Sequence, residues 1–367
     1  MRTFLFIPWF KFDAIEIPLA YLAGAVFVGC ALAAANPKWR QQAMSTALFA
    51  AGMSLIALWK GFDPVPIQPF GILVATGVVL GTKLAEWYAK RLDIDPHILS
   101  DFATHVVFIG FVFAILLNAV FYETEDLLRF FEDPSNNLKW MGLSSYGGFV
   151  GAMVGIWVWR KRRKMPSWAL ADAVGFAFPL GWVFGRSGCF VVHDHPGAES
   201  DFFLAVENYN NSGVARHDLG FYEVIYAAVV MVIFLLILRK FPKEKRPMGL
   251  WVGLMPLLYT PGRFMLDFLR IEDQAGADVR FSGLTPAQYA SMGMFVMAVG
   301  LLVHAFKNPA WDIPDRMRLS LRQAGEKKAS AKSETDKADV DTKPDADAKS
   351  GEKPSGSAKR RKAKKKR

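Results

Sequence analysis

Two arginines lie inside long apolar stretches of the chain, where a charged side chain needs a specific reason. Arg186 lies between Gly185 and Gly188, and Arg263 precedes Asp267 by four residues. An ionised side chain within a membrane segment costs at least about 2.5–3.5 kcal/mol. A guanidinium group binds phosphate through two parallel hydrogen bonds, and a neighbouring glycine lets a headgroup approach the backbone closely. We therefore predict that Arg186 and Arg263 clamp a phosphate group.

Acidic side chains offer the alternative that these arginines only form structural ion pairs. Asp267 follows Arg263 on the same helix face, and Glu223 lies inside another apolar stretch. A buried carboxylate stays ionised only beside a partner such as arginine. In this alternative Arg263 pairs with Asp267 or Glu223, and Arg186 pairs with Asp194. The sequence leaves both interpretations open.

Two histidines, His193 and His195, flank Asp194 shortly after Arg186. They could supply a general base, contact a lipid headgroup or form a hydrogen-bonded turn. A metal site would need a third or fourth ligand, and no residue spacing in the sequence provides one. We predict neither a metal nor a cofactor.

Small residues recur at every fourth position in Gly147, Gly151 and Gly155. This small-xxx-small pattern is typical of membrane helices that pack closely. Tyr146 directly precedes the repeat and gives that face a polar tip. We expect the repeat to serve mainly helix packing.

The composition shows which elements must position these side chains. Apolar residues make up 52% of the 367 residues, and charged residues make up only 21%, below the roughly 25% of ordinary soluble proteins. The last residues, 321–367, hold 16 of the 44 Lys/Arg. Two cysteines, Cys30 and Cys189, exclude a disulfide scaffold, and the first 320 residues fit neither a disordered chain nor a soluble nucleic-acid-binding domain. We predict an all-α polytopic membrane protein.

Nine stretches are long and apolar enough to span a bilayer, which takes about 20 residues. They cover residues 18–35, 41–59, 65–82, 102–122, 143–159, 173–192, 219–238, 247–265 and 284–306. The connections after odd-numbered stretches hold 15 Lys/Arg, against 8 in the N-terminus and the other loops, and cytoplasmic loops are enriched in these residues. We therefore predict that the N-terminus and loops 123–142, 193–218 and 267–283 face the exterior and that the C-terminus is cytoplasmic.

Residues 314–367 are rich in Lys, Asp, Ala, Ser and Pro and lack aromatic residues. Such a segment cannot bury enough apolar surface to offset its ordering entropy. We predict a disordered cytoplasmic tail whose basic end, 359–367, contacts anionic lipid headgroups rather than nucleic acid. The predicted organisation is an N-terminal extension with two membrane helices (1–64), a seven-helix core (65–313) and this tail (314–367).

From about residue 65 to 306, the order and spacing of these segments resemble the prolipoprotein diacylglyceryl transferase family. The most specific segment is Gly185-Arg-Ser-Gly-Cys-Phe190 together with Gly197, and the second is His217-Asp-Leu-Gly-Phe-Tyr-Glu223. Further matching segments are Phe70-Gly-Ile-Leu73, Arg91-Leu-Asp-Ile-Asp-Pro96, Ser145-Tyr-Gly-Gly148, Arg263-x-x-x-Asp267 and Leu284-Thr-Pro-Ala-Gln288.

The resemblance implies an enzyme of the bacterial cytoplasmic membrane that moves a diacylglyceryl group from phosphatidylglycerol to the cysteine thiol of an exported prolipoprotein. Its partners would be phosphatidylglycerol and the prolipoprotein signal peptide. Arg186 and Arg263 would hold the phosphate as catalytic residues. The substrate-binding residues that it implies are Arg186, Gly188, Cys189, Asp194, Gly197, Glu223, Asp267, Gly147 and Gly148.

Several positions depart from the family pattern. Tyr146 stands in place of an essential family histidine, and Cys189 stands in place of an asparagine. Tyrosine has a reference pKa of about 10 and is a weak base near neutral pH. Either Tyr146 acts as a phenolate or hydrogen-bond donor, or His193 or His195 supplies the imidazole that activates the thiol. The alternative function is a non-catalytic paralogue that binds phospholipid or lipoprotein in envelope assembly.

Overall fold

The computed structural model describes residues 7–8, 10, 15–17, 65–121, 124, 127–128, 143–271, 280–310 and 312–328. Within them, the helices are α1 (Pro69–Arg91), α2 (Pro96–Phe121), α3 (Ser145–Arg163), α4 (Trp168–Val192), α5 (Leu219–Lys240), α6 (Leu250–Leu266) and α7 (Pro286–Lys307). The strands are β1 (Ile7–Pro8), β2 (Ile15–Ile17), β3 (Val65–Ile67), β4 (Pro196–Glu199), β5 (Val206–Glu207) and β6 (Arg216–Asp218).

Each of these helices covers one of the predicted apolar stretches between residues 65 and 306. Helices α1, α2, α4, α5 and α7 are long and apolar enough to cross a membrane, and the chain is a polytopic all-α membrane protein, as predicted. Helix α6 has 17 residues, and α3 ends in the basic residues Arg160–Arg163. The predicted spans 18–35 and 41–59 lie outside the described residues, so a total of nine spans stays a prediction.

Glycines determine how closely neighbouring helices approach. Helix α3 packs along α2, and α1 packs along α4. A Cβ atom at Gly151 would lie 2.7 Å from the carbonyl oxygen of Ile109 on α2, and one at Gly77 would lie 2.8 Å from the carbonyl oxygen of Gly181 on α4. Real side chains do not tolerate such distances, so the glycine repeat serves helix packing, as expected.

Gly151→Val is expected to lower the thermal unfolding midpoint of the purified protein by several degrees. Overpacking costs about 1–3 kcal/mol, and here the opposing atoms belong to the α2 backbone. Gly300→Val on α7 is the matched control, because no atom lies within 4 Å of a Cβ there. Melting both variants in the same detergent checks this, and equal midpoints would contradict the packing role.

Aromatic side chains fill the core between α1, α4, α5 and α6. Tyr88, Phe176, Phe234 and Trp251 are almost fully buried, and the rings of Tyr88 and Phe176 stack with their centroids 4.5 Å apart. Asp172 on α4 accepts a hydrogen bond of 2.7 Å from the backbone nitrogen of Trp251, which satisfies a donor in the first turn of α6. This core fixes the helices whose opposite ends carry the arginines.

A four-stranded sheet adjoins the helix ends that carry the predicted site. Its strand order is β1-β5-β6-β4, with β1 parallel to β5 and β6 antiparallel to both of its neighbours. Strands β2 and β3 form a separate antiparallel pair. Because β1 belongs to the sequence predicted as an N-terminal extension, that sequence contributes structure to the loop 193–218.

The structure departs from the prediction that disorder begins at residue 314. Asp315–Met317 form a turn of 3-10 helix, Met317 is buried, and its carbonyl accepts a 2.8 Å hydrogen bond from the backbone nitrogen of Asp95. The backbone of this segment therefore bonds to the loop between α1 and α2, and the Met317 side chain joins the hydrophobic core. The chain divides into two units, 1–319 and 320–367. Residues 329–367 lie outside the described residues, so their predicted disorder and lipid contacts stay predictions.

Candidate active site

Three helices bring two arginines to a single glutamate. Arg186 on α4 places its Nε 2.9 Å from Glu223 Oε2, and Arg263 on α6 places its Nε 3.6 Å from Glu223 Oε1. Arg186, Arg263 and Glu223 are only 5%, 8% and 1% exposed. Glu223 on α5 thus offsets the repulsion between two buried cations. The predicted pair of Arg263 with Glu223 is observed. The predicted pair of Arg186 with Asp194 is wrong, because Arg186 pairs with Glu223 instead.

A third arginine adds positive charge to this cluster. Arg263 Nη1 lies 2.7 Å from Asp267 Oδ1, and Arg270 Nε lies 3.6 Å from the same oxygen. The Thr285 hydroxyl donates to the other oxygen of Asp267. Burial and the positive charge of Arg263 lower the pKa of Arg270, which follows the end of α6. Three guanidinium groups face the carboxylates of Glu223 and Asp267, and this excess of positive charge favours an anion.

Tyr259 belongs to the same cluster, although sequence analysis missed it. Its hydroxyl donates to Glu223 Oε2 and lies 3.4 Å from Arg186 Nη2. The guanidinium carbon of Arg186 also lies 4.8 Å from the centre of the Trp182 ring, close enough for a cation–π contact. Its spacing could have identified it in the sequence. Tyr259 precedes Arg263 by four residues, and the two side chains therefore share a helix face.

His195 is the histidine that the structure brings to the arginines. Its Nδ1 lies 2.5 Å from Asp194 Oδ1, and its Nε2 lies 3.2 Å from Arg186 Nη1. Arginine is always protonated and can only donate, so Nε2 accepts and Nδ1–H donates to Asp194. A carboxylate that fixes the tautomer of a histidine is the arrangement found in general-base catalysis.

His193 has a different place in the fold. Its Nδ1 lies 2.6 Å from Asp218 Oδ2, and its Nε2 lies 2.9 Å from the Phe10 carbonyl oxygen. Its own carbonyl accepts a 2.7 Å hydrogen bond from the Tyr209 hydroxyl. The side chain is buried, and its φ of 51° lies in the left-handed region that ends α4. The contacts of His193 join the helix end to the N-terminal segment rather than to the arginine cluster.

Tyr146 links two helices at the edge of the cluster. Its hydroxyl donates to the carbonyl oxygen of Ala287 at 2.6 Å and lies 3.1 Å from Ser291 Oγ, both on α7. A hydroxyl that donates to a carbonyl is protonated. The geometry thus agrees with the hydrogen-bond-donor interpretation of Tyr146 and not with a phenolate.

Three of the four glycines predicted to bind substrate lie at close-packing positions. A Cβ at Gly147 would lie 2.6 Å from the Phe113 carbonyl oxygen, and one at Gly188 would lie 2.9 Å from the Phe70 ring. A Cβ at Gly197 would lie 2.7 Å from the Leu269 carbonyl oxygen and 2.7 Å from the His217 Cβ, whereas one at Gly148 would meet only the Ala114 Cβ at 4.0 Å. Gly147, Gly188 and Gly197 therefore let neighbouring segments approach closely. A contact of the four glycines with substrate stays a prediction.

Cys189 lies beside Arg186 and His195. Its Sγ is buried and lies 3.9 Å from Arg186 Nη1. Among the described residues, Cys189, Asp194 and His195 form a group whose possible ligand atoms lie within 4.8 Å of one another. The Arg186 guanidinium contacts both Cys189 and His195, however. A fixed positive charge at this point opposes a metal cation and favours an anion.

Comparison with known proteins identifies similar sequences. A family model described as prolipoprotein diacylglyceryl transferase matches residues 57–304. The chain is 27% identical over 255 residues to the phosphatidylglycerol–prolipoprotein diacylglyceryl transferase of Chromohalobacter salexigens, covering 68% of this chain and 92% of the relative. Proteins of the same name from Hydrogenovibrio crunogenus and Bacillus cereus (strain G9842) are 26% and 29% identical, covering 67% and 65% of this chain and 93% and 88% of the relatives.

Proposed function

The chain belongs to the prolipoprotein diacylglyceryl transferase family, and we propose that it moves a diacylglyceryl group from phosphatidylglycerol to the cysteine thiol of a prolipoprotein. The observation that carries the proposal is the convergence of Arg186 and Arg263 on Glu223, with Arg270 nearby. Positive charge at the outer ends of α4 and α6 suits the phosphate of a lipid that enters from the bilayer.

The reaction replaces a carbon–oxygen bond by a carbon–sulfur bond. The thiol sulfur attacks the carbon of the diacylglyceryl group that is bonded to the phosphate oxygen, and a thioether forms. Glycerol phosphate leaves with one more negative charge than the phosphodiester had. Fixed cations stabilise the charge that develops on a leaving group. Arg186 and Arg263 are placed for this role, and Glu223 holds both side chains in position when no lipid is bound.

His195 is the base that we assign to the thiol proton. Thiolate is the nucleophilic form, and a free cysteine has a pKa near 8.5, so a base raises its reactivity at neutral pH. Asp194 orients the ring through Nδ1, and Nε2 faces Arg186. When the lipid phosphate takes over the hydrogen bonds of Arg186, Nε2 becomes available to the thiol. Lipid binding and base activation are thereby coupled.

Tyr146→Phe is expected to change the transfer rate less than tenfold and to lower stability by about 1 kcal/mol, the usual value of one hydrogen bond. The variant removes the bond to Ala287 on α7 but no acid–base group that the mechanism uses. Initial rates and thermal midpoints of the purified protein check both parts. A rate loss above 100-fold with an unchanged midpoint would instead assign Tyr146 a catalytic proton.

The second candidate function is a non-catalytic paralogue that binds phospholipid or lipoprotein. It is favoured by one observation, the hydrogen-bonded tyrosine at the position of the family histidine. Both candidates use the arginine cluster, but only the transferase forms a thioether.

Complementation separates the two candidates. The chain is expressed in a bacterium depleted of its own diacylglyceryl transferase, and one prolipoprotein is followed by gel mobility. We expect the mobility shift of lipid attachment and restored growth, with the empty vector as control. An unshifted prolipoprotein while this chain is present in the membrane would overturn the transferase and support the binding paralogue.

The location of the chain is part of the proposal. We place it in the bacterial cytoplasmic membrane with the N-terminus outside and the C-terminus in the cytoplasm. The Lys/Arg asymmetry of the loops supports this orientation, which puts the arginine cluster at the outer leaflet. The basic tail would then contact anionic headgroups of the inner leaflet.

A further inference from the structure

Two adjacent phenylalanines stand out in the short loop between β4 and β5, Ser200-Asp-Phe-Phe-Leu-Ala205. Phe202 and Phe203 are 43% and 46% exposed, and their ring centroids lie 4.5 Å apart. The turn that carries them is ordered, because the Ala205 backbone nitrogen donates to the Phe202 carbonyl oxygen at 2.8 Å. Such a pair of exposed, adjacent aromatic rings indicates contact with an apolar partner.

The pair is continuous with the lipid-facing surface of α5. The Phe202 ring packs edge-on against Tyr222, with centroids 6.1 Å apart. On one face of α5, Tyr222 is followed by exposed apolar residues at the helical spacing of three and four: Ile225, Val229, Val232 and Leu236. Helix α5 is one of the membrane-spanning candidates. The phenylalanine pair thus caps the outer end of a stripe that the bilayer covers.

Neighbouring side chains make this cap rigid. His217 Nδ1 lies 2.7 Å from the Tyr222 hydroxyl, and the ring centroids of His217 and Phe202 lie 6.0 Å apart. Burial lowers the pKa of His217, so its ring is neutral and packs with the aromatic rings. In the same loop, Asp201 and Glu207 are exposed and acidic, which limits insertion to the two phenylalanines.

We propose that Phe202 and Phe203 insert into the outer leaflet and anchor the β-sheet to the bilayer surface. Phenylalanine on an interfacial apolar face buries at the boundary between headgroups and acyl chains, and no charge attraction is required of the lipid. The anchored loop begins at His195, whose carbonyl oxygen accepts a 3.1 Å hydrogen bond from Leu219 at the start of α5. Strand β4 joins His195 to the inserted phenylalanines. The insertion therefore fixes the distance of the Asp194–His195 pair from the bilayer surface, where the headgroups lie.

A depth measurement tests the proposal without relying on enzymatic activity. Phe203→Cys and, as a matched control, Glu207→Cys at the exposed position of β5 are made in a Cys30→Ser background and labelled with an environment-sensitive fluorophore. The background chain with only buried Cys189 controls for stray labelling. Each protein is reconstituted in phosphatidylcholine vesicles with or without lipid that carries a nitroxide at carbon 5 of one acyl chain.

We expect the nitroxide lipid to quench the label at position 203 at least threefold more than the label at position 207, and aqueous iodide to show the opposite order. Equal quenching by the lipid at both positions would overturn the proposal. Quenching at position 203 that changes only when an apolar signal-sequence peptide is added would also overturn it and would assign the pair to peptide binding.

Discussion

Arg186→Lys is expected to lower the rate of diacylglyceryl transfer at least about 100-fold, the loss typical of one fixed donor to developing negative charge. Lysine keeps the charge but not the planar fork. In the protein, Arg186 Nε lies 2.9 Å from Glu223 Oε2, while Nη1 contacts His195 and Nη2 contacts Tyr259. One ammonium group cannot make these three contacts at once, so both the phosphate position and the base position are lost.

The measurement is single-turnover transfer from phosphatidylglycerol vesicles to a cysteine-containing signal peptide, with the thioether detected by mass spectrometry. Arg163→Lys is the matched control, because Arg163 forms an exposed pair with Asp101 at the far end of α3. We expect its rate to be unchanged. A transfer rate of Arg186→Lys within threefold of the rate of the unmodified chain would contradict the assignment of Arg186 to the phosphate.

His195→Ala is expected to lower the rate at neutral pH by 10²–10⁴-fold, the usual contribution of a general base. The remaining rate should rise with pH, because the acceptor thiol ionises by itself near its ordinary pKa of about 8.5. Asp194→Asn should lower the rate to a smaller extent, because it removes only the group that orients Nδ1. Rates from pH 6 to pH 9 check the prediction.

His193→Ala provides the contrast. Its ring bonds to Asp218 and to the Phe10 carbonyl, so its loss leaves buried polar groups unsatisfied and costs about 1–3 kcal/mol of stability. We expect a lower thermal midpoint but a pH profile like that of the unmodified chain. If the two variants exchange these behaviours, His193 is the base and the assignment of His195 is wrong.

Local properties of the chain were sufficient to predict its class and its helices. Hydropathy and segment length indicate a membrane protein, and every apolar stretch predicted from residue 65 onward coincides for most of its length with a helix. The glycine repeat correctly indicated close packing, because small residues matter wherever two helices cross. Such signals need no knowledge of distant neighbours. By contrast, the segment predicted to be disordered begins with a turn of 3-10 helix, because Met317 is buried in the hydrophobic core, and composition does not show that contact.

The members of the charged cluster were predictable, but their pairing was only partly so, because the partner of Arg186 was predicted as Asp194 and is Glu223. Both arginines and Glu223 are conspicuous in the sequence, because charge inside an apolar segment is costly. That a single glutamate holds both arginines depends on how α4, α5 and α6 are placed around their aromatic core. Tyr259 and the Phe10 carbonyl were missed for the same reason, since neither has an unusual sequence context.

The histidines show most clearly what the sequence determined and what it left to the tertiary structure. Sequence reasoning placed an imidazole beside the arginine signature, and the residue types alone allowed His193 or His195 to serve. These residues are two positions apart. Helix α4 ends at Val192, and the left-handed backbone of His193 turns the chain away from the helix before His195. One ring then turns into the packed interface with Asp218, and the other turns to Arg186. Which of the two rings faces Arg186 therefore depends on contacts with residues far away in the sequence. No local sequence pattern specifies those contacts.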